Sequence, residues 1–151
     1  MASEAAIDRA KAPAHLWIVG ILALIWNALG VTDYVMTRLR HEEYSRAVMP
    51  DLDPATVYAY VDNMPLLGSI GWGLGVWGAL AGTLLLLARS RHAVAAYLVS
   101  LIGAIVSFGF QFAGPKPPEG MDDPVMPIVI TAIAIALLLY ARWMRRKGVL
   151  R

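Results

Sequence analysis

One carboxylate stands inside an otherwise uncharged apolar stretch. Asp33 lies in the string Trp26-Asn27-Ala28-Leu29-Gly30-Val31-Thr32-Asp33-Tyr34-Val35-Met36-Thr37. At about 100° per residue, Trp26, Asn27, Gly30, Asp33, Tyr34 and Thr37 share an arc of about 120° if the stretch is helical. A carboxylate held partly out of water there could take up a proton or a cation. The milder alternative is an anchor at a membrane boundary, with Arg38 reaching back to pair with it. Ser69 and Trp72 stand near the start of the second apolar stretch, and Ser107 and Gln111 near the end of the third. If the stretches close into a bundle, Asn27, Asp33, Tyr34, Ser69, Trp72, Ser107 and Gln111 are the candidate lining of one polar pocket. The competing reading is plain interhelical hydrogen bonding, on average about 0.6 kcal/mol per contact in a membrane.

Other chemistry finds no spacing to support it. His15, His41 and His92 form neither a His-x-x-x-Asp nor a His-Glu-x-x-His pattern. No Ser-His-Asp set and no phosphate-cradling glycine loop occurs. The chain has no cysteine, which excludes disulfides, thiolate metal sites and thiol nucleophiles. The expectation is therefore a protein with no catalytic set, no metal and no cofactor. Net charge is only +2, and no basic stripe with interleaved aromatics appears, so no nucleic-acid partner is expected.

The elements that must position these residues are four apolar runs, Leu16–Met36, Leu66–Ala88, Ala93–Ala113 and Val125–Tyr140. A helix needs about 20 residues to cross the hydrocarbon of a bilayer. Three runs have that length, and the fourth reaches it through Trp143. With 58% hydrophobic residues over 151, the composition is that of a membrane domain. The sequence predicts an all-α, four-span antiparallel bundle, with helices at about 15–37, 65–89, 92–113 and 124–143. Residues 1–14 form a polar lead, 15–147 the membrane domain and 148–151 a short tail. Residues 38–53 are expected as a loop. Asp53-Pro54 reads as an N-cap with proline at the first helical position, opening a short surface helix to Met64. The tight Arg89–His92 connection makes the second and third spans antiparallel neighbours.

Charge sets the orientation. The lead, the Arg89–His92 turn and the C-terminal segment from Arg142 onward carry nine of the 13 Lys/Arg residues. The connections 37–65 and 114–124 carry eight of the 11 Asp/Glu. Lys and Arg mark the cytoplasmic side, so both termini are expected inside. Trp17, Tyr97, Tyr140 and Trp143 then fall at the inner boundary as an aromatic belt, and Arg142, Arg145, Arg146 and Lys147 are placed to meet lipid headgroups.

The second span holds six of the 13 glycines. Gly68, Gly71, Gly75, Gly78 and Gly82 share an arc of about 80°. Small residues repeated in this way let a partner backbone approach closely, which is how helices associate in lipid. Ser100 and Gly103 cluster on a matching face of the third span, with Ala96, Ala104 and Ser107. The ridge fits a contact within the chain, a seam between two copies, or a hinge or solute path.

The string from Trp26 to Thr37 resembles one found in small bacterial four-helix inner-membrane proteins, with the pattern W-N-x-x-G-x-x-D-Y-x-M-T. Gly75-Val76-Trp77-Gly78-Ala79-Leu80-Ala81-Gly82 and the short basic turn after it are similar to theirs too. The resemblance implies a four-span fold in the bacterial inner membrane. A sugar-transporter label is attached to some of that group, but the resemblance implies no catalytic residue. Two functions are carried forward: a non-enzymatic accessory or assembly module, partnered by lipid and by a second copy or another membrane protein, and a small-solute transporter built around Asp33.

Overall fold

The computed structural model describes residues 11–151, and every regular element in that range is a helix. The part of the polar lead before Lys11 lies outside the described residues. Four helices are long and apolar enough to cross a membrane: α1 (Ala14–Arg38), α4 (Leu66–Leu87), α5 (Ala93–Ala113) and α6 (Val125–Arg146). At about 1.5 Å per residue, each exceeds the hydrocarbon thickness of about 30 Å. Two short helices, α2 (Glu42–Val48) and α3 (Pro54–Asp62), sit between α1 and α4. The chain is an all-α, multi-pass membrane protein.

Lateral order follows the connections: α1 packs on α4, α4 on α5 and α5 on α6. The α4–α5 seam is the closest. A Cβ built on Gly71 would lie 2.8 Å from the carbonyl oxygen of Gly103, and one on Gly103 would lie 2.6 Å from that of Gly71. Neither residue can be enlarged without separating the two backbones. Gly75 faces the Ala104 backbone, Gly78 faces Ser100, and Gly82 holds the ring of Tyr97. Ser100 Oγ donates to the Gly75 carbonyl at 2.6 Å, adding a hydrogen bond to the dispersion contact. Gly68, at the start of the ridge, meets Phe110 and Met64. The ridge is thus covered by α5 of the same chain.

The buried apolar core is concentrated at one end, here called the tail end. Leu16 and Ala23 of α1, Leu86 of α4, Ala93 and Tyr97 of α5, and Leu137, Leu138, Ala141 and Met144 of α6 form it. Val149 and Leu150 turn back into the same cluster. Their segment is fastened to the α4–α5 turn by two backbone bonds, Arg91 N–H to Arg151 O at 2.6 Å and Arg151 N–H to Arg89 O at 2.9 Å. Elsewhere the helices present apolar faces outward. Ile18, Ile21, Leu22, Ile25 and Leu29 line α1 in that way. A continuous strip of this size is stable in hydrocarbon and a liability in water.

Three helix ends reverse sharply through a residue in the left-handed region: Arg40 (φ 54°), Arg89 (φ 58°) and Gly148 (φ 70°). In each, the following N–H reaches back five residues: His41 to Met36, Ser90 to Leu85 and Val149 to Met144. Arginine instead of glycine at two of these positions costs about 1 kcal/mol each.

Two sequence expectations need correction. Residues 38–53 are not simply a loop, because α2 forms within them. His41 caps α2 by accepting the Tyr44 N–H at 3.2 Å, and Glu42 and Glu43 occupy its positive first turn. Tyr97 is not a belt residue. It is 1% exposed, and its hydroxyl meets Thr83 inside the bundle. Trp17 and Trp143 are exposed near the tail end, while Tyr140 is half-buried with its hydroxyl 2.6 Å from His15 Nδ1.

Candidate functional site

The seven polar residues singled out by sequence do not line one pocket: three converge and the other four lie apart. Asn27 lies deepest. Its Nδ2 donates to Thr83 Oγ1 at 2.8 Å and, at 3.3 Å, to the Ala79 carbonyl. Thr83, wholly buried, donates to the Ala79 carbonyl at 3.0 Å and lies 2.8 Å from the Tyr97 hydroxyl. A hydroxyl has one hydrogen and two lone pairs. With its hydrogen on Ala79, Thr83 accepts from both Asn27 and Tyr97, which uses its capacity in full. Three helices are joined at one fully satisfied polar knot. Sequence reading missed Thr83, and the only signal was a lone hydroxyl before the leucine run of α4.

Tyr34, Ser69 and Trp72 do converge, at the end of the bundle that carries α2 and α3, here the cap end. Tyr34 lies across α4 with its hydroxyl over Gly73, where an added Cβ would sit 3.2 Å from it. Its ring meets Trp72 edge-on, with centroids 4.6 Å apart. The Arg38 guanidinium is 5.4 Å from the Tyr34 ring centre and 5.2 Å from that of Trp72, and it donates to Ser69 Oγ. Arg38 therefore does not reach back to Asp33 as the sequence suggested. Two aromatic faces on α1 and α4 hold it toward α4 instead.

Asp33 points to the cap. Its Oδ1 accepts from the Tyr44 hydroxyl of α2 at 3.3 Å. Burial, then the Asp33 charge, then this hydrogen bond push the Tyr44 hydroxyl above its usual 10.0. Ser45 and Tyr58 join α2 to α3 through their hydroxyls at 2.8 Å, and Arg40 pairs with Asp62 at 2.7 Å to hold α3 against the end of α1. Ser107 is buried beside Gly71, where an added Cβ would sit 3.0 Å from its backbone nitrogen. Gln111 Nε2 donates to the Met121 carbonyl at 3.3 Å and borders a cavity of about 30 Å³ with Tyr60, Asn63 and Pro115.

A larger cavity of about 100 Å³ opens at the cap end, lined by Thr37, Arg38, Arg40, Tyr58, Val61 and Asp62. At the tail end, Arg142, Arg145, Arg146 and Lys147 are exposed, with Lys147 Nζ 4.6 Å from the Trp143 ring centre. Among the described residues, no three His, Asp or Glu side chains converge on a metal-sized site.

The fold and these sites define a multi-pass membrane protein with a rigid α4–α5 seam and a polar cap. Comparison with known protein families, curated proteins and solved structures gives no match to this chain.

Proposed function

We propose that the chain is a non-enzymatic membrane module, an accessory or assembly partner in a bacterial inner membrane, with both termini inside. The observation that carries this reading is where the bundle's polar and glycine contacts are satisfied. Asn27 closes on Thr83 and Tyr97, and the glycine ridge closes on α5, all within one chain. That leaves the α2–α3 cap, held by Arg40–Asp62 and Ser45–Tyr58, as the surface offered to a partner. The inward placement of the termini rests on the nine cationic residues gathered at the lead, the Arg89–His92 turn and the C-terminal segment from Arg142 onward.

Cross-linking in native membranes from single cysteines placed on exposed cap residues, such as Glu43 and Thr56, tests this. One membrane protein should be captured repeatedly, and its loss should shorten the lifetime of this chain. Capture of lipid alone, with no partner-dependent turnover, would count against the module.

A second reading rests on Asp33, half-buried against Tyr44. A small-solute transporter would use this carboxylate at the entrance, and Asp33→Asn would then change solute uptake or its pH dependence. Unchanged uptake of every solute the wild type carries would remove that reading.

A further inference from the structure

Three of the four Lys/Arg residues on the acidic side of the chain, Arg38, Arg40 and Arg46, fall within nine positions after α1 begins to leave the bundle. Two of the three have a carboxylate partner. Arg40 pairs with Asp62 at 2.7 Å, and Arg46 lies 3.6 Å from Glu42. Arg38 has none within ion-pair distance among the described residues. Its guanidinium instead lies beside the neighbouring rings of Tyr34 and Trp72, both on one side of it, and donates to Ser69 Oγ. The two rings leave the other side of the guanidinium open, and the Ser69 bond uses only one of its five N–H donors. The others remain in the plane, the arrangement that recognises a phosphate through two parallel bonds.

The space beside it fits that ligand. Arg38 and Arg40 both line the cavity of about 100 Å³. A water needs about 10–15 Å³ by this kind of measure, so the space admits a group of several heavy atoms. Thr37, Tyr58 and Val61 complete the wall. Asp62 is the one anionic wall residue, and its charge is matched by Arg40. Arg38 thus gives the site a net charge of about +1. The cavity lies where α1 ends against α3, and its Arg38 wall also touches Tyr34 and the α4 residue Trp72, aromatic side chains of the kind that collect where headgroups begin.

We infer that this corner of α1, α3 and α4 is a binding site for the phosphodiester of an anionic phospholipid, with Arg38 as its principal ligand. The inference goes beyond the module reading and does not depend on a protein partner. Phosphatidylglycerol is the probe. Native mass spectrometry of the full chain, released from micelles doped with phosphatidylglycerol, should show one lipid retained under activation. Arg38→Gln should lower that retention about tenfold, the loss of one charge-assisted pair, and Arg38→Lys should recover part of it.

A headgroup-photoactive phosphatidylglycerol should label peptides containing Thr37 to Asp62 in the wild-type protein. That readout needs no variant and holds even if Arg38→Gln fails to fold. Displacement of the lipid by millimolar inorganic phosphate would reassign the site to a soluble anion and overturn the lipid source. Equal retention by wild type and a folded Arg38→Gln, or labelling spread evenly over the chain, would overturn the site itself.

Discussion

Thr83 is the residue whose removal tests the packing account most directly. Thr83→Val keeps the β-branched shape and deletes one oxygen. The Tyr97 hydroxyl then loses its partner at 2.8 Å in a side chain that is 1% exposed, so no solvent replaces it. An unsatisfied buried hydroxyl costs about 1–3 kcal/mol. Asn27 keeps the longer bond to Ala79 at 3.3 Å and loses the better one, adding the membrane average of about 0.6 kcal/mol. The expected loss is about 2–3 kcal/mol. Reversible unfolding in mixed detergent micelles, titrated with a denaturing surfactant, measures it. The decisive result is the double change. Tyr97→Phe in the Thr83→Val background removes the stranded hydroxyl and should return about 1 kcal/mol or more, so the pair is strongly non-additive. Strict additivity would refute the idea that these hydroxyls satisfy one another.

The remaining expectations concern other parts of the fold. Gly103→Ala places a methyl 2.6 Å from the Gly71 carbonyl and should lower the unfolding midpoint, whereas Gly109→Ala meets nothing within 4 Å and should raise stability by up to about 1 kcal/mol. Gly75→Leu, against the Ala104 backbone, should be severe in the same assay. Leu150→Ala should cost about 2 kcal/mol by emptying a core position, but Arg151→Ala should stay within about 0.5 kcal/mol, because that residue's bonds to the turn are backbone bonds. For Tyr44 the sign follows from its raised proton affinity. Above about pH 10 the unfolded chain releases a proton that the folded cap retains, so stability falls as pH rises. Tyr44→Phe should flatten that part of the thermal-midpoint profile, and an unchanged slope would place the alkaline transition elsewhere, Tyr60 of α3 being also raised by burial.

Length and unbroken apolar composition made the four long helices legible, since lipid leaves the backbone few alternatives. Asp53-Pro54 announced α3 because capping is a local affair between Asp53 and the Ala55 N–H. α2 escaped notice because His41, an uncommon cap, starts it. The polar residues were harder to place. A helical wheel puts Asn27 and Asp33 on one arc, but about nine Å of axial rise separates them, and different neighbours meet each end. Asn27 finds Thr83 on α4, and Asp33 finds Tyr44 on α2. Arg38 turned to rings on α1 and α4 instead of the nearby carboxylate, a choice that depends on Tyr34 lying across Gly73. Such pairings are set by how helices lean on one another, which one chain's residue order does not state.

The strap from Val149 to Arg151 has a mechanical consequence. It ties α6 to the α4–α5 turn at one end, and four of the five buried residues of α6, Leu137, Leu138, Ala141 and Met144, lie in the half nearest that tie. α6 is therefore a boom about 33 Å long, stepped at its base. Any tilt must pivot there, and a swing of about 10° carries the Pro124 end through about 6 Å. Lateral stress from the surrounding lipid is expected to tilt α6 before it parts α4 from α5, whose backbones meet at Gly71 and Gly103.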